Sequence, residues 1–134
     1  MKRSRLTRKT PIKRISAKRR KQMARTKPAR DTFRAEFRIC MLCCKRKATD
    51  VHEIVTRAKS DLTVENRCTW LCLCRTCHER EVADYSRYPV SRQLALKLVA
   101  DPEAFDLAKV NELRGNDPNE FTLADVVGWL DMKQ

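Results

Sequence analysis

Apolar and polar positions alternate along the chain in patterns that predict its central elements. Two β-rich runs, residues 50–55 and 68–73, are separated by a polar connection. They predict two strands of a small sheet or a long hairpin. Before them, Phe33 and Phe37 lie four residues apart after a capping-type Asp31. This spacing places both rings on one face of a short helix that starts at Asp31.

Helical spacing returns after the second run. His78, Val82 and Tyr85 fall on one stretch that closes before Pro89. A proline disfavours helix at the residue before it, so this helix is expected to end there. The predicted order of the central region is therefore strand, strand, helix.

Residues 89–134 predict further helices. Leucines and a valine within residues 94–99 belong to the first, a second is capped by Asp101 and ends at Gly115, and a third starts at Thr122. This part of the chain contains no Cys or His. We expect it only to pack against the core or against a partner.

Charge is distributed unevenly, and the uneven distribution predicts a basic N-terminal arm. The chain has 30 Lys and Arg against 17 Asp and Glu, a net charge of +13. Residues 1–30 hold 14 of the basic residues, no acidic residue, and prolines at Pro11 and Pro28. Without a sustained apolar period, this arm is expected to be disordered when free. Its charge favours a polyanion, nucleic acid first, as the partner.

Two kinds of targeting segment are not apparent in the sequence. No apolar run approaches the roughly 18 residues that a membrane span requires, and no apolar core of a secretory signal is found near Met1. We therefore expect a soluble cytoplasmic protein with no membrane partner. In such a reducing compartment, clustered thiols bind metal more often than they form disulfides.

Two cysteine pairs predict a structural zinc site. Cys40 and Cys43 form one Cys-x2-Cys pair, and Cys74 and Cys77 form another. A two-residue gap lets both sulfurs of each pair reach one tetrahedral Zn²⁺ at about 2.3 Å. Such a site is closed, since four thiolates leave no position for an activated water. Catalysis would therefore need a second site.

Three cysteines remain outside these pairs. Cys44 is a competitor of Cys43 for the metal because the two are adjacent. Cys68 and Cys72 alternate with Trp70, as residues on one strand face do, and are expected in the core. The sequence has only two histidines, His52 between the pairs and His78 directly after the last cysteine. Their position around a zinc scaffold favours a functional role.

These residues together resemble a known family, the HNH endonuclease superfamily. The pattern is Cys40-x2-Cys43, His52-Glu53-Ile54, Asn66 and Leu73-Cys74-x2-Cys77-His78. It is most similar to small zinc-stapled HNH proteins encoded by phages and prophages, some of which begin with a basic arm. The resemblance covers about residues 31–88.

The resemblance implies an α+β fold. Residues 31–88 would form a zinc-stapled ββα-metal core, preceded by the disordered basic arm of residues 1–30 and followed by a helical extension over residues 89–134. It also implies a phage or prophage gene product in the cytoplasm of a bacterial host.

Roles of individual residues also follow from the resemblance. His52 and His78 would ligate a catalytic Mg²⁺ or Mn²⁺, Asn66 would support the site, and Glu53 stands where the family has its general-base histidine. In an alternative assignment, His52 is the base and Glu53 or Asp50 is the ligand. If a strand is regular, His52 and Glu53 point to opposite faces, so both serve one site only where the chain bends.

The implied activity is hydrolysis of phosphodiester bonds in double-stranded DNA. The residues expected to contact phosphates are Arg57, Lys59, Arg67 and Arg75. The main rival is a non-catalytic zinc-binding nucleic-acid adaptor with a degenerate HNH site, for which Glu53 is the best argument. A ribosomal type of zinc ribbon is a third interpretation, but it would require neither His78 nor the His-Glu-Ile strand. No oligomeric state is predicted.

Overall fold

The computed structural model describes residues 16–115 and 119–131. Its elements are α1 (Ala17–Glu36), β1 (Asp50–Glu53), β2 (Trp70–Leu73), α2 (Arg75–Cys77), α3 (Val90–Ala100), α4 (Leu107–Leu113) and α5 (Leu123–Val127). Short 3₁₀ segments at Asp61–Glu65 and Arg67–Thr69 lie between the strands, and a π-helical turn at His78–Val82 follows α2. The fold is therefore α+β, as predicted.

The two strands form an antiparallel sheet at the centre of the protein. Asp50 pairs with Leu73 at one end and Glu53 pairs with Trp70 at the other. Every residue of β2 is buried, so both of its faces are covered. Both predicted strands are confirmed, each shorter than its β-rich run because the flanking residues turn away.

Helix α1 packs against this sheet. Phe33 is fully buried, and its ring centroid lies 5.6 Å from that of Trp70 in an edge contact. Aromatic pairs prefer this arrangement and bury a large apolar area. The predicted pairing of Phe33 with Phe37 is also found, with ring centroids 5.1 Å apart.

The start of α1 differs from the prediction. The helix begins after Ser16, whose hydroxyl accepts from the backbone N–H of Arg19, and it continues through Arg30. Both the start at Asp31 and the disorder of residues 17–30 are therefore wrong; residues 1–15 of the arm lie outside the described residues. Lys, Arg, Gln and Ala favour helix, and contacts with the core hold the segment despite Pro28.

Those contacts are ion pairs at two levels of the helix. Arg25 pairs with Glu65 in the first 3₁₀ segment, and Arg30 pairs with Glu53 of β1 at 3.1 Å. Charge composition alone does not reveal such partners, because they lie far away in the sequence.

The C-terminal helices agree with the sequence except at Asp101. This residue ends α3 instead of starting the next helix, which begins at Leu107 after an Asp106 cap. The reason is that the Asp101 carboxylate accepts from Lys97 at 2.7 Å and from Arg67 at 3.2 Å. A buried carboxylate with two cationic donors is not free to cap a helix.

Other helix ends follow the predictions more closely. Gly115 has φ +71°, a left-handed conformation that glycine adopts easily after a helix. Thr122 forms a capping box with Asp125 at the start of α5. After β2, helical structure ends at Val82, and Tyr85 lies beyond it with half of its surface exposed. No helix in the described ranges is both long enough and apolar enough to span a membrane.

Candidate functional site

The four cysteines of the two predicted pairs converge. The Sγ atoms of Cys40, Cys43, Cys74 and Cys77 all lie within 4.8 Å of one another. Tetrahedral zinc with Zn–S bonds of about 2.3 Å separates its sulfurs by about 3.8 Å, so the set fits one such ion after a small contraction. The structure therefore confirms a cysteine cluster that could hold a metal such as zinc.

Backbone N–H groups stabilise the thiolate form of two of the four cysteines, Cys43 and Cys74. Backbone N–H groups of Arg46 and Lys45 lower the pKa of Cys43 to about 6. At the other pair, the backbone N–H of Cys77 donates to the sulfur of Cys74 at 3.4 Å and lowers the pKa of Cys74. Because the thiolate is the metal-binding form, these donors favour coordination.

The remaining cysteines do not join the cluster. Cys44 is exposed, has φ 56°, and donates its thiol to the carbonyl of Met41 at 3.7 Å, so it does not replace Cys43. Cys68 and Cys72 are buried, as predicted. Burial raises the pKa of both thiols, that of Cys72 to about 11.

His52 and His78 also meet. His52 lies on β1, and His78 opens the π-helical turn after α2. Their rings form an edge contact with centroids 5.1 Å apart and an angle of 67° between the planes. The antiparallel sheet brings them together, since α2 follows the end of β2 that lies beside the start of β1.

Gln93 of α3 forms a hydrogen bond with Nε2 of His52. Gln93 donates its amide N–H to the carbonyl of Tyr88 at 3.0 Å, so its oxygen faces His52 Nε2 at 2.8 Å. In this arrangement Nε2 carries the proton and Nδ1 keeps its lone pair. Burial lowers the pKa of His52 below its usual value, an effect partly offset by the Gln93 hydrogen bond. Burial therefore favours the neutral form of the ring.

Asp50 forms a hydrogen bond with Nδ1 of His78. Nδ1 of His78 donates to the Asp50 carboxylate at 2.9 Å, which leaves Nε2 as the free nitrogen when the ring is neutral. The other carboxylate oxygen of Asp50 accepts from Arg75 at 3.1 Å. Metal-binding histidines typically donate their second N–H to a carboxylate or carbonyl in this way.

The separation of the two rings is compatible with two histidines that share one cation. Two imidazoles that bind one ion at about 2.1 Å have ring centroids about 5 Å apart, close to the separation of His52 and His78. Among the described residues, the four sulfurs are the one group of three or more His, Cys, Asp or Glu ligand atoms that clusters so closely.

Glu53 lies apart from the histidine pair. β1 remains regular as far as Glu53, so this side chain and His52 point to opposite faces. Its carboxylate accepts from Arg57 at 2.8 and 2.9 Å and from Arg30 at 3.1 Å. These contacts do not support the expectation that Glu53 is the general base.

Asn66 occupies a turn. Its side-chain amide donates to the carbonyl of Leu62 at 2.7 Å, between the two 3₁₀ segments. This bond stabilises the connection between the strands and gives Asn66 a structural role.

A cleft of about 570 Å³ lies between α1 and β1, with Asp50 and His78 in its wall. Its cationic lining residues are Lys27, Arg30, Arg34, Arg57 and Arg75. These cations outnumber the acidic lining residues Asp31 and Asp50, so the charge of the cleft favours an anion.

The four predicted phosphate contacts divide into different environments. Arg57 and Arg75 line the cleft, and Lys59 is exposed on the turn after β1. Arg67 instead pairs with Asp101 at 3.2 Å and with Glu36, and its guanidinium lies 5.1 Å from the Phe33 ring centroid. It is thus part of the packing between α1 and α3.

Searches against protein-family models, curated proteins and solved structures found no match. The functional proposal therefore rests on the site.

Sequence reasoning missed Gln93 and Arg30. Gln93 and Lys97 lie four residues apart, on either side of Leu94, Ala95 and Leu96. This spacing on one helix face was the available signal for buried polar side chains on α3.

Proposed function

We propose that the protein is a metal-dependent endonuclease of HNH type that hydrolyses phosphodiester bonds in double-stranded DNA. The observation that carries the proposal is the contact between the rings of His52 and His78. One nitrogen of each ring is hydrogen-bonded to a separate partner, Gln93 for His52 and Asp50 for His78. When both rings are neutral, two imidazoles oriented in this way each have one nitrogen lone pair for a shared cation.

A Mg²⁺ or Mn²⁺ ion bound there would polarise the scissile phosphate, lower the pKa of a coordinated water and stabilise the leaving oxygen. The ligands in the proposal are Nδ1 of His52 and Nε2 of His78. Asp50 keeps the His78 ring in place through Nδ1. The zinc at the four cysteines would be structural, and it would fix α2 and hence the position of His78.

The cleft arginines supply the grip on the DNA backbone. Arg75 is largely exposed and already bridges Asp50 and Glu79, so its guanidinium is close to the proposed cation site. Arg30 and Arg57 are held in the cleft wall by Glu53. In this proposal, Glu53 positions the two arginines, and a phosphate entering the cleft competes with its carboxylate for them.

A non-catalytic nucleic-acid adaptor is the second candidate, and one observation favours it. In the position where the family has its base, Glu53 is engaged by two arginines. The adaptor would use the same basic cleft and zinc cluster without hydrolysing the strand.

The two candidates are separated by incubating supercoiled plasmid with the purified protein and Mg²⁺, Mn²⁺ or EDTA. We expect nicking that requires a cation and that His78→Ala abolishes. The matched control is Tyr85→Ala, a nearby exposed side chain, which should leave nicking unchanged. Intact plasmid at saturating protein, with retained DNA binding in a gel-shift assay, would instead establish the adaptor.

A further inference from the structure

Gln93 is a polar side chain buried in a part of the chain that was expected only to pack. It has no exposed surface, and both ends of its amide are used. The N–H group donates to Tyr88 and the oxygen faces His52 Nε2. A buried amide with this pair of partners connects α3 directly to the histidine pair.

The orientation of the amide is determined by its surroundings. If the amide were rotated by half a turn, its oxygen would face the Tyr88 carbonyl, and two acceptors would oppose each other in a buried site. The observed orientation therefore places an acceptor before His52 Nε2. That acceptor selects the tautomer of His52 whose free lone pair is on Nδ1.

We propose that Gln93 is a positioning residue that holds His52 in the tautomer and ring orientation needed to bind the cation. The inference rests on the proposed cation site at His52 and His78, and it extends that site to α3. A neighbour that orients a ligand in this way typically changes metal affinity by about 10- to 100-fold when it is removed.

A purely structural role for Gln93 is separable from positioning because other contacts also seat α3. Lys97 donates to the Trp70 carbonyl at 2.8 Å. Ser91, at the start of the same helix, accepts from Trp129 at 2.9 Å. Loss of the Ser91 bond should affect packing of α3 without touching the imidazole.

The test compares three variants of the full-length, zinc-loaded protein. Gln93→Met keeps the length of the side chain but removes the acceptor, Gln93→Glu keeps an acceptor oxygen, and Ser91→Ala is the matched control. Mn²⁺ affinity is measured by electron paramagnetic resonance. The His52 tautomer is measured from its ring ¹⁵N shifts in the absence of Mn²⁺, and thermal unfolding verifies that each variant is folded.

In the wild type we expect a protonated Nε2 on His52. Gln93→Met should raise the Mn²⁺ dissociation constant about 10- to 100-fold and give a mixture of tautomers. Gln93→Glu should retain the tautomer and most of the affinity in its protonated form, in which one oxygen accepts from His52 Nε2 and the O–H group donates to the Tyr88 carbonyl. Ser91→Ala should change neither.

Three results discriminate this inference from the proposed nuclease activity. Wild-type tautomer and Mn²⁺ affinity in folded Gln93→Met would overturn the role of Gln93 even if plasmid is cleaved. The expected changes in a protein that never cleaves DNA would support Gln93 and overturn the nuclease. No Mn²⁺ binding by the wild type would overturn both.

Discussion

Arg30 of α1 donates to the Glu53 carboxylate of β1 at 3.1 Å, and both side chains are mostly shielded from solvent. This bond connects the part of α1 that belongs to the basic arm with the strand that carries His52. Arg57 binds the same carboxylate. The two arginines together occupy the oxygens that Glu53 would need to accept a proton from water.

Replacing Glu53 distinguishes structure from catalysis. Glu53→Gln should lower the free energy of unfolding by about 1.5–3 kcal/mol, the usual range for hydrogen bonds to charged groups, while cation-dependent nicking persists. Urea unfolding and plasmid nicking measure the two effects. Glu65→Gln, which breaks the pairing with Arg25, is the control for loosening α1. A folded Glu53→Gln protein that binds the cation but no longer cleaves would restore Glu53 as the base.

The cysteine cluster should contain one zinc ion per chain after purification without added metal. Cys40→Ser or Cys77→Ser should lose the ion and unfold the core, since structural zinc contributes about 10–16 kcal/mol in small peptides. Elemental analysis and circular dichroism measure both. Cys44→Ser should keep the zinc because Cys44 is outside the cluster. A folded wild-type protein without zinc would contradict the assignment.

Exposed cations on α1 should contribute to DNA affinity. Arg19, Arg20 and Lys21 are exposed in the first turns of the helix. If all three contact phosphates, changing them to Gln should reduce the magnitude of the log–log salt slope by about 2.7, at roughly 0.9 per contact. Fluorescence anisotropy over a range of salt concentrations measures the slope.

The same triple variant should keep its cation requirement for cleavage, because the histidines are unchanged. Lys109→Gln, on the acidic C-terminal part, is a charge control and should leave the slope unaltered. An unaltered slope in the triple variant would show that these cations do not contact DNA.

Asp101 should make stability dependent on pH. Burial alone would raise its pKa, but the hydrogen bonds from Arg67 and Lys97 hold the pKa below its usual value. Its stabilising effect is therefore complete above the unfolded pKa of about 3.9, and it is lost as the pH falls through the lower folded pKa.

Asp101→Asn should cost about 3–5 kcal/mol near neutral pH, because the charge of Lys97 stays buried without its partner. The difference from wild type should narrow as the pH falls below about 3.9. Urea unfolding of both proteins at each pH measures this difference in the free energy of unfolding. Loss of zinc at low pH lowers the stability of both proteins alike and therefore cancels in the difference. A difference that is constant down to pH 2 would contradict the pairing.

The sequence predicted the parts of the fold that depend on short spacing. The two strands, the two Cys-x2-Cys pairs and the Thr122 cap could all be predicted, because each is encoded within a few neighbouring residues. The convergence of the two pairs followed from the four ligands that tetrahedral zinc requires. The approach of His52 to His78 was expected only from the family resemblance.

Features that depend on distant partners could not be predicted. Residues 17–30 are basic and interrupted by Pro28, so composition favoured disorder, whereas Glu53 and Glu65 hold the helix from elsewhere in the chain. Asp101 has the sequence context of a cap, yet it serves Lys97 and Arg67 instead. In both places a tertiary ion pair overrode a local preference.

Lys97 offers a chemical reporter of the intact fold. Its amine has no exposed surface and donates to the Trp70 carbonyl and the Asp101 carboxylate. Lys18, Lys21, Lys27 and Lys45 are exposed. Brief acylation with an amine-reactive reagent should therefore modify those lysines first. Modification of Lys97 would occur only in molecules that have opened, so its mass-spectrometric time course reports the opening of α3 from the sheet.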